Sequence, residues 1–411
     1  MEDKTCDVCR NDYNEKDHVK CPLHLSSNGK FHYMCFDCII RIKNKKCPYC
    51  KEDFLFEINM EVYMNNTIYG ACKKGDSEKA LDLLRNNKYD KIDYIDKDDY
   101  TTLMWACRNN LSEVALEILK LDMNKSLPER INKYGCTALI FATDNKMSEV
   151  SFELIKLGRE KCIPQQIYNR DTALIHACAN RLSGVALELL KFGPEYCPLK
   201  LVGSCGNTAL MLACQHDLEE VALEIIKFGP DKCFPEYVNI YIVNNAINFL
   251  KVLINNDLDE VDNIFKKGDT ALLWACARLP KVALELIKFG SEYCIPQQID
   301  ENHDTALTLA CENNYPEVAL ELIKFGPEKC LPQIFNRNRD NALIIACVNK
   351  LSVVALELIN LGPEYCLPDH RDNNDKTALD YATENNLTDV IEELNKIMNK
   401  EDSQASKKMK I

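Results

Sequence analysis

No stretch of the sequence approaches the ~18 consecutive apolar residues that a membrane-spanning helix needs, so such a span is excluded. The first residues also lack the apolar core of a secretory signal, and the expected location is therefore the cytoplasm, with the nucleus open. Positive charge is in deficit. With Lys+Arg 50 against Asp+Glu 63 the net charge is −13, which argues against a general polyanion-binding surface and so against nucleic acid as a partner. There is no glycine-rich nucleotide loop, no G-x-S-x-G elbow and no H-E-x-x-H pair, so three common routes to catalysis are missing. What remains is ordinary in bulk: 411 residues with 46% hydrophobic and 27% charged, enough for a repeat array plus a small module.

Cysteine is the exception to this scarcity, at 22 residues. A chain that never meets an oxidising compartment keeps its thiols reduced or places them on metal. Their spacing divides them into two groups. Within the first 50 residues stand Cys6-x2-Cys9, then Cys21, His24 and His32, then Cys35-x2-Cys38 and Cys47-x2-Cys50. Tetrahedral zinc takes four Cys or His ligands, and a two-residue knuckle hands two thiolates to one ion, so seven cysteines and one histidine make two zinc sites. A segment this short has too few apolar residues for a core, and metal would be its staple.

This arrangement resembles the RING finger over residues 6 to 50. The resemblance assigns Cys6, Cys9, Cys35 and Cys38 to one zinc, and Cys21, His32, Cys47 and Cys50 to the other, with His24 as the alternative to His32. It further implies an apolar surface for a ubiquitin-conjugating enzyme, formed here by Val8, Ile42 and Pro48. Lys51 falls where active RING ligases often carry arginine, and it lacks that residue's planar fork of donors. One spacing departs from the pattern: Cys21 lies eleven residues before His32, where one to three are usual.

From residue 65 the chain repeats itself. T-A-L-x-x-A-C recurs from Thr172, Thr208, Thr270 and Thr305, with variants from Thr101, Thr137, Asn341 and Thr377, at intervals of 36, 35, 36, 62, 35, 36 and 36 residues. Each copy is followed by a version of E-V-A-L-E-L-I-K-F-G. Apolar residues at i, i+1, i+4 and i+5 in both segments predict a pair of helices per unit. Ser112, Ser148, Ser183 and Ser352 are candidate caps of the second helix, and Gly193, Gly229 and Gly326 are placed to end it. The spacing predicts ten units, one of them hidden in the 62-residue interval, with a bend or packing fault near residues 240 to 282.

A helix pair with a polar tip before T-A-L resembles the ankyrin repeat, most of all the variant form found in giant viruses of amoebae. The location implied by that likeness is the host cytoplasm. The expected fold is mostly α: an ankyrin-like helical solenoid over residues 65–399, preceded by a zinc-stabilised RING-type α+β domain at 1–54 and a linker at 55–64. Residues 400–411 are expected to be a disordered tail. The joint resemblance implies a RING-type ubiquitin ligase: two zinc ions, a conjugating enzyme on the finger and a protein substrate on the repeats. The mechanism would be a scaffold without a covalent intermediate or a catalytic residue in this chain. The alternative is a non-catalytic adaptor or sequestering scaffold with a structural zinc module. The tip residues vary between units while the helices barely change, which makes Arg170, Asp304, Arg337 and Arg339 candidates for substrate binding.

Overall fold

The computed structural model describes residues 18–25, 31–35, 67–86, 92–121, 123–234 and 270–408, with side chains from residue 67 to residue 398 of that set. They fall into two compact units, Met1–Lys91 and Ile92–Ile411. The first unit holds an antiparallel hairpin of His18–Leu25 and Phe31–Cys35, in which His18 pairs with Cys35 and Lys20 with Tyr33 before the register shifts to pair Leu25 with Phe31. It also holds a helix pair, Ile68–Lys74 and Ser77–Arg85, joined by Gly75 at φ 77. This pair is the first repeat that the sequence predicts. Residues 55–64, expected as a linker, lie outside the described residues.

The second unit contains eight helix pairs among its described residues, whose first helices begin at Thr102, Ala138, Ala173, Ala209, Ala271, Ala306, Ala342 and Ala378. Each pair is assembled from local instructions. At the tip, an Asp or Asn oxygen accepts two backbone N–H groups. Asn132 Oδ1 takes those of Tyr134 and Cys136 at 3.0 and 2.8 Å, and Asp300 Oδ1 those of Asn302 and Asp304 at 2.7 and 2.9 Å. The threonine of T-A-L then caps the first helix, as where Thr172 Oγ1 accepts from the Ile175 N–H at 3.3 Å. Two residues past that helix the chain turns through the left-handed region, at Asn110, Lys146, Arg181, Asp217, Asn314, Lys350 and Asn386.

The second helix starts differently from the expectation. Its caps are Leu111, Met147, Leu182 and Leu351, none with a side-chain bond, and the serines that follow are the first helical residues. The turn imposes this, because the Leu111 N–H already donates to the Ala106 carbonyl at 2.9 Å and the Met147 N–H to Ala142 at 2.8 Å. An apolar side chain suits a cap position folded back onto the core. Gly193, Gly229 and Gly326 do end their helices, with φ of 83, 83 and 86, a region that side-chain-bearing residues avoid. The insert beyond them forms a single turn in most units, as at Pro327–Cys330, whose cysteine is buried.

Units stack first helix on first helix and second on second, burying Ala and Cys at each contact. An asparagine closing a first helix reaches into the unit before it. Asn145 Nδ2 donates to the Cys107 and Arg108 carbonyls at 2.9 and 3.1 Å, Asn180 to Thr143 and Asp144, Asn349 to Cys311 and Glu312, and Asn385 to Cys347 and Val348. These side chains satisfy helix-end carbonyls that their own helix leaves open.

The 62-residue interval is described only at its two ends. Residues 235–269, which were to supply the tenth unit, lie outside the described residues. The helices on either side pack directly on each other: Ala209–Gln215 against Ala271–Arg278 and Glu219–Ile226 against Pro280–Ile287. Most of the stretch where the bend or fault was expected, residues 240–282, likewise lies outside the described residues. Arg278 Nη1 donates to Asp217 Oδ2 at 3.2 Å and Lys281 Nζ to Glu219 Oε1 at 3.0 Å, while Phe234 meets Phe289 edge-on at 6.1 Å. Complementary surfaces meet here across about 62 residues as they do elsewhere across about 36. The turn after Cys276 is shorter than in the other described units: Leu279 alone joins the two helices, with no left-handed residue.

A second correction concerns the end of the chain. The last helix is Thr388–Lys408, so residues 400–408 are helical rather than disordered. Neither glycine nor proline follows Pro368, and nothing in the sequence stops the helix.

The inter-unit asparagines should be measurable. Asn349→Ala removes both donors to the preceding helix end and is expected to lower stability by about 1–2 kcal/mol. His216 occupies the same position and its Nδ1 is buried without a partner, so His216→Asn should raise stability. Urea unfolding of the full chain, followed by its helical signal, checks both.

Candidate functional site

The metal-binding residues expected at the amino terminus fall partly within the hairpin. Cys21 and His24 lie on its first strand, and His32 and Cys35 on its second. After the Lys20–Tyr33 pair the register shifts before Leu25 pairs with Phe31, so Cys21 and His24 both fall in the irregular stretch opposite His32. Cys6, Cys9, Cys38, Cys47 and Cys50 lie outside the described residues, as do Val8, Ile42, Pro48 and Lys51.

The four candidate substrate-binding residues have unlike positions. Arg170, Arg337 and Arg339 are exposed at tips. Arg170 and Arg339 sit in the left-handed region at φ 72 and 63, which turns the chain at the apex. Asp304 is not an exposed tip residue: it is 5% exposed, directly before the cap Thr305, where the tip folds back against the helix it caps. Arg337 and Arg339 share one tip. Arg170 belongs to another, four described units earlier, so the four do not form one cluster. Neighbouring tips are nevertheless joined by backbone bonds: the Lys133 N–H donates to Asp98 at 3.0 Å, Arg337 to Asn302 at 3.1 Å and Asn373 to Asn338 at 3.2 Å.

A second surface was only partly visible in the sequence. Trp105 lies on the first helix Thr102–Arg108. It stacks on Tyr100 with ring centroids 4.5 Å apart, and Tyr100 in turn lies 5.9 Å from Phe141 and 6.1 Å from Tyr134. The Arg108 guanidinium sits 5.2 to 5.9 Å from the rings of Trp105, Tyr100 and Phe141 and donates to the Tyr100 hydroxyl. The one available signal was the spacing of Tyr100, Trp105 and Phe141, which recur at cap −1, cap +4 and the next unit's cap +4.

None of the fifteen cysteines from Cys72 to Cys366 forms a disulfide, and among the described residues no group of three or more His, Cys, Asp or Glu side chains could hold a metal ion. All but Cys205 are buried. Burial pushes the thiols of Cys162, Cys178, Cys197, Cys311, Cys330 and Cys347 up to about 12, since a thiolate there would lose its water. Cys197 and Cys233 donate instead to the Leu189 and Ile225 carbonyls at 3.1 and 3.0 Å. These cysteines are packing residues.

Two carboxyls are displaced as well. Burial, and then the charge of Asp300, push Asp304 up to about 6, and burial followed by Asp372 does the same to Asp340.

A family model described as ankyrin repeats, in three copies, matches residues 68–165 and 239–333. Ankyrin repeats are thus detected in the chain, and such repeats suggest a protein-interaction scaffold. The second match begins inside the interval between the directly packed units. No curated protein matches the chain.

Two outcomes follow from these charges and burials. A thiol reagent applied at pH 8 should label Cys205 alone among the fifteen array cysteines, and all of them once the chain is unfolded in urea; peptide mass mapping reads this. The raised carboxyls bind protons more tightly in the folded chain than in the unfolded one. They therefore favour folding below their ordinary value near 4, and that contribution disappears as pH rises through about 6. Asp304→Asn with Asp340→Asn should flatten this part of the stability–pH curve.

Proposed function

We propose that the chain is a RING-type E3 ubiquitin-protein ligase, in which the amino-terminal finger recruits a ubiquitin-conjugating enzyme and the ankyrin array captures the protein to be modified. The observation that carries this reading is the ligand series Cys6, Cys9, Cys21, His32, Cys35, Cys38, Cys47 and Cys50, which has the number and type of donors for two tetrahedral zinc ions. The spacing of His32 to Cys35, the usual one for such a finger, favours His32 over His24 as the fourth donor of the second ion. Zinc, when bound, would supply folding free energy to a segment with few apolar residues.

The finger's own residues would work by position. Val8, Ile42 and Pro48 offer an apolar seat for the conjugating enzyme, and Lys51 a cation at its edge. The array would hold a substrate beside the enzyme's ubiquitin thioester, converting an encounter in solution into a local one. No side chain of this chain need act as nucleophile, acid or base. The likeness of the units to those of giant amoebal viruses makes host proteins the proposed substrates and the host cytoplasm the proposed location. Lys51 and the early position of Cys21 favour a second reading, an adaptor or sequestering scaffold whose zinc module has no ligase activity.

Purified chain should assemble ubiquitin on itself when mixed with activating enzyme, a panel of conjugating enzymes and ATP. Ile42→Ala is expected to reduce the rate at least tenfold with zinc content unchanged, and Lys51→Arg to maintain or raise it. Inactivity across the whole panel would favour the adaptor. Metal analysis should give two zincs per chain, falling to one on His32→Ala and remaining at two on His24→Ala.

A further inference from the structure

Two first helices carry a tryptophan with an arginine about one turn later, and the two arginines have different partners. Beside Trp274, the Arg278 guanidinium lies 5.8 Å from the indole and pairs at 3.2 Å with Asp217 of the unit packed before it. Beside Trp105, the Arg108 guanidinium lies against three rings, and among the described residues no carboxylate pairs with it. Asp144, at the same helix position one unit on, is engaged with His176 Nδ1 at 3.3 Å. Arg108 is exposed, and its side chain donates to the Tyr100 hydroxyl.

The surface beside Arg108 is apolar. Tyr100, Trp105 and Phe141 form a run of rings across two units, with Tyr134 at its edge, 6.1 Å from Tyr100. Tyr134 is 59% exposed at its tip, and with Ile131 and Ile167 it makes three of the five large hydrophobic side chains that are exposed among the described residues. These three share two neighbouring tips, which meet so closely that a Cβ added at Gly135 would lie 3.2 Å from the Ile167 carbonyl oxygen. Exposed apolar groups scattered singly need no explanation, whereas a gathering of them marks an interaction surface.

Tryptophan, tyrosine and arginine are also the residues that carry most of the binding energy at protein interfaces. The rings hold the guanidinium plane before any partner arrives, so little side-chain freedom is lost when its remaining N–H groups meet an acceptor. Its charge selects an anion, and its planar fork donates to both oxygens of a carboxylate. The adjoining rings select an apolar side chain, best a flat one. In an extended segment, residues two apart face the same side about 7 Å from each other. That is the scale on which Arg108 and its rings are set, at 5.2 to 5.9 Å.

We propose that Trp105, Arg108 and Tyr134, backed by the buried rings of Tyr100 and Phe141, form a docking surface for an extended protein segment in which a carboxylate and an aromatic side chain stand two residues apart. The proposal rests on the array as the capturing arm of the chain, and not on ligase activity. The carboxylate takes the place at Arg108 that Asp217 fills at Arg278, and the aromatic ring covers the exposed edge of Trp105 and Tyr134. A basic segment is selected against by the charge of Arg108.

Fluorescence anisotropy on the full-length, zinc-loaded chain tests this with four labelled peptides: three Glu-Ser-Phe-Ser units, and the same peptide with Gln for Glu, with Lys for Glu or with Ala for Phe. The first is expected to bind at least about fivefold tighter than each of the others. Arg108→Gln should remove the preference for Glu over Gln, and Tyr134→Ala should weaken the first peptide by about threefold or more. Both residues are exposed, and circular dichroism checks that the variants fold. Lys227→Gln on a second helix removes the same charge and should change nothing. If Arg108→Gln does not fold, Arg108→Lys keeps the charge without the fork and should weaken binding about threefold. Trp105 and Trp274 are the two tryptophans of the chain, so on a Trp274→Phe background the peptide should alter the emission of Trp105. Equal binding of the Glu and Gln peptides, undiminished binding to a folded Arg108 or Tyr134 variant, or unchanged Trp105 emission would overturn the surface. Binding without autoubiquitination removes the ligase proposal alone, and autoubiquitination without binding removes this one alone.

Discussion

Each helix pair has an apolar face too large to leave in water and too small to form a core by itself, and burying that face against a neighbour is the condition on which the rest of the array depends. The alanine and cysteine positions of the first helix follow from it. Ala106, Cys107, Ala177, Cys178, Ala346 and Cys347 are fully buried where successive first helices meet, and larger residues there would hold the units apart. The asparagines at 145, 180, 349 and 385 then tie the ends of the same helices together. Apolar contact supplies most of the attraction, and the side-chain amides fix the register. Lysine–glutamate pairs at i,i+3, such as Lys120–Glu117 and Lys324–Glu321, recur along the described second helices, but their exposure leaves such pairs worth only tenths of a kcal/mol.

Much of this was legible in the sequence because the instructions are short-range. The T-A-L threonine, the terminal glycine and the period near 36 residues each act within a few residues of where they are written, and the helix pairs fall where the pattern places them. What the sequence concealed depends on partners distant in the chain. Asp304 reads as a polar loop residue until the fold shows that its tip closes over it. The serines at 112, 148, 183 and 352 resemble caps until the turn before them is seen to begin the helix one residue earlier. Trp105 is one aromatic among many until Tyr100, Arg108 and Phe141 surround it. At the amino terminus the order of difficulty is reversed: the cysteine spacing is informative on its face, and the hairpin adds only that Cys21, His24 and His32 fall in its irregular stretch.

On the proposed reading the chain combines two ways of stabilising a small unit. The finger's donors would draw their folding free energy from metal, a local source that a chelator can withdraw. The repeats draw theirs from one another. Chemistry would divide in the same way, with thiols at the amino terminus proposed to be ionised on metal, whereas thiols in the array are buried as small apolar groups with their protons held firmly.

The junction between Phe234 and Thr270 shows how little the stack depends on chain connectivity. Two units that follow each other after 62 residues meet through the same helix faces as units that follow after 36. For a flexible connection the entropic difference between such lengths is less than about 1 kcal/mol, because closure cost grows only with the logarithm of length. A surface of this kind does not record how far along the gene its neighbour is encoded. Duplication, loss or interruption of whole units in DNA would leave complementary faces still able to find each other, so the length of the array is free to change by recombination while its cross-section is preserved.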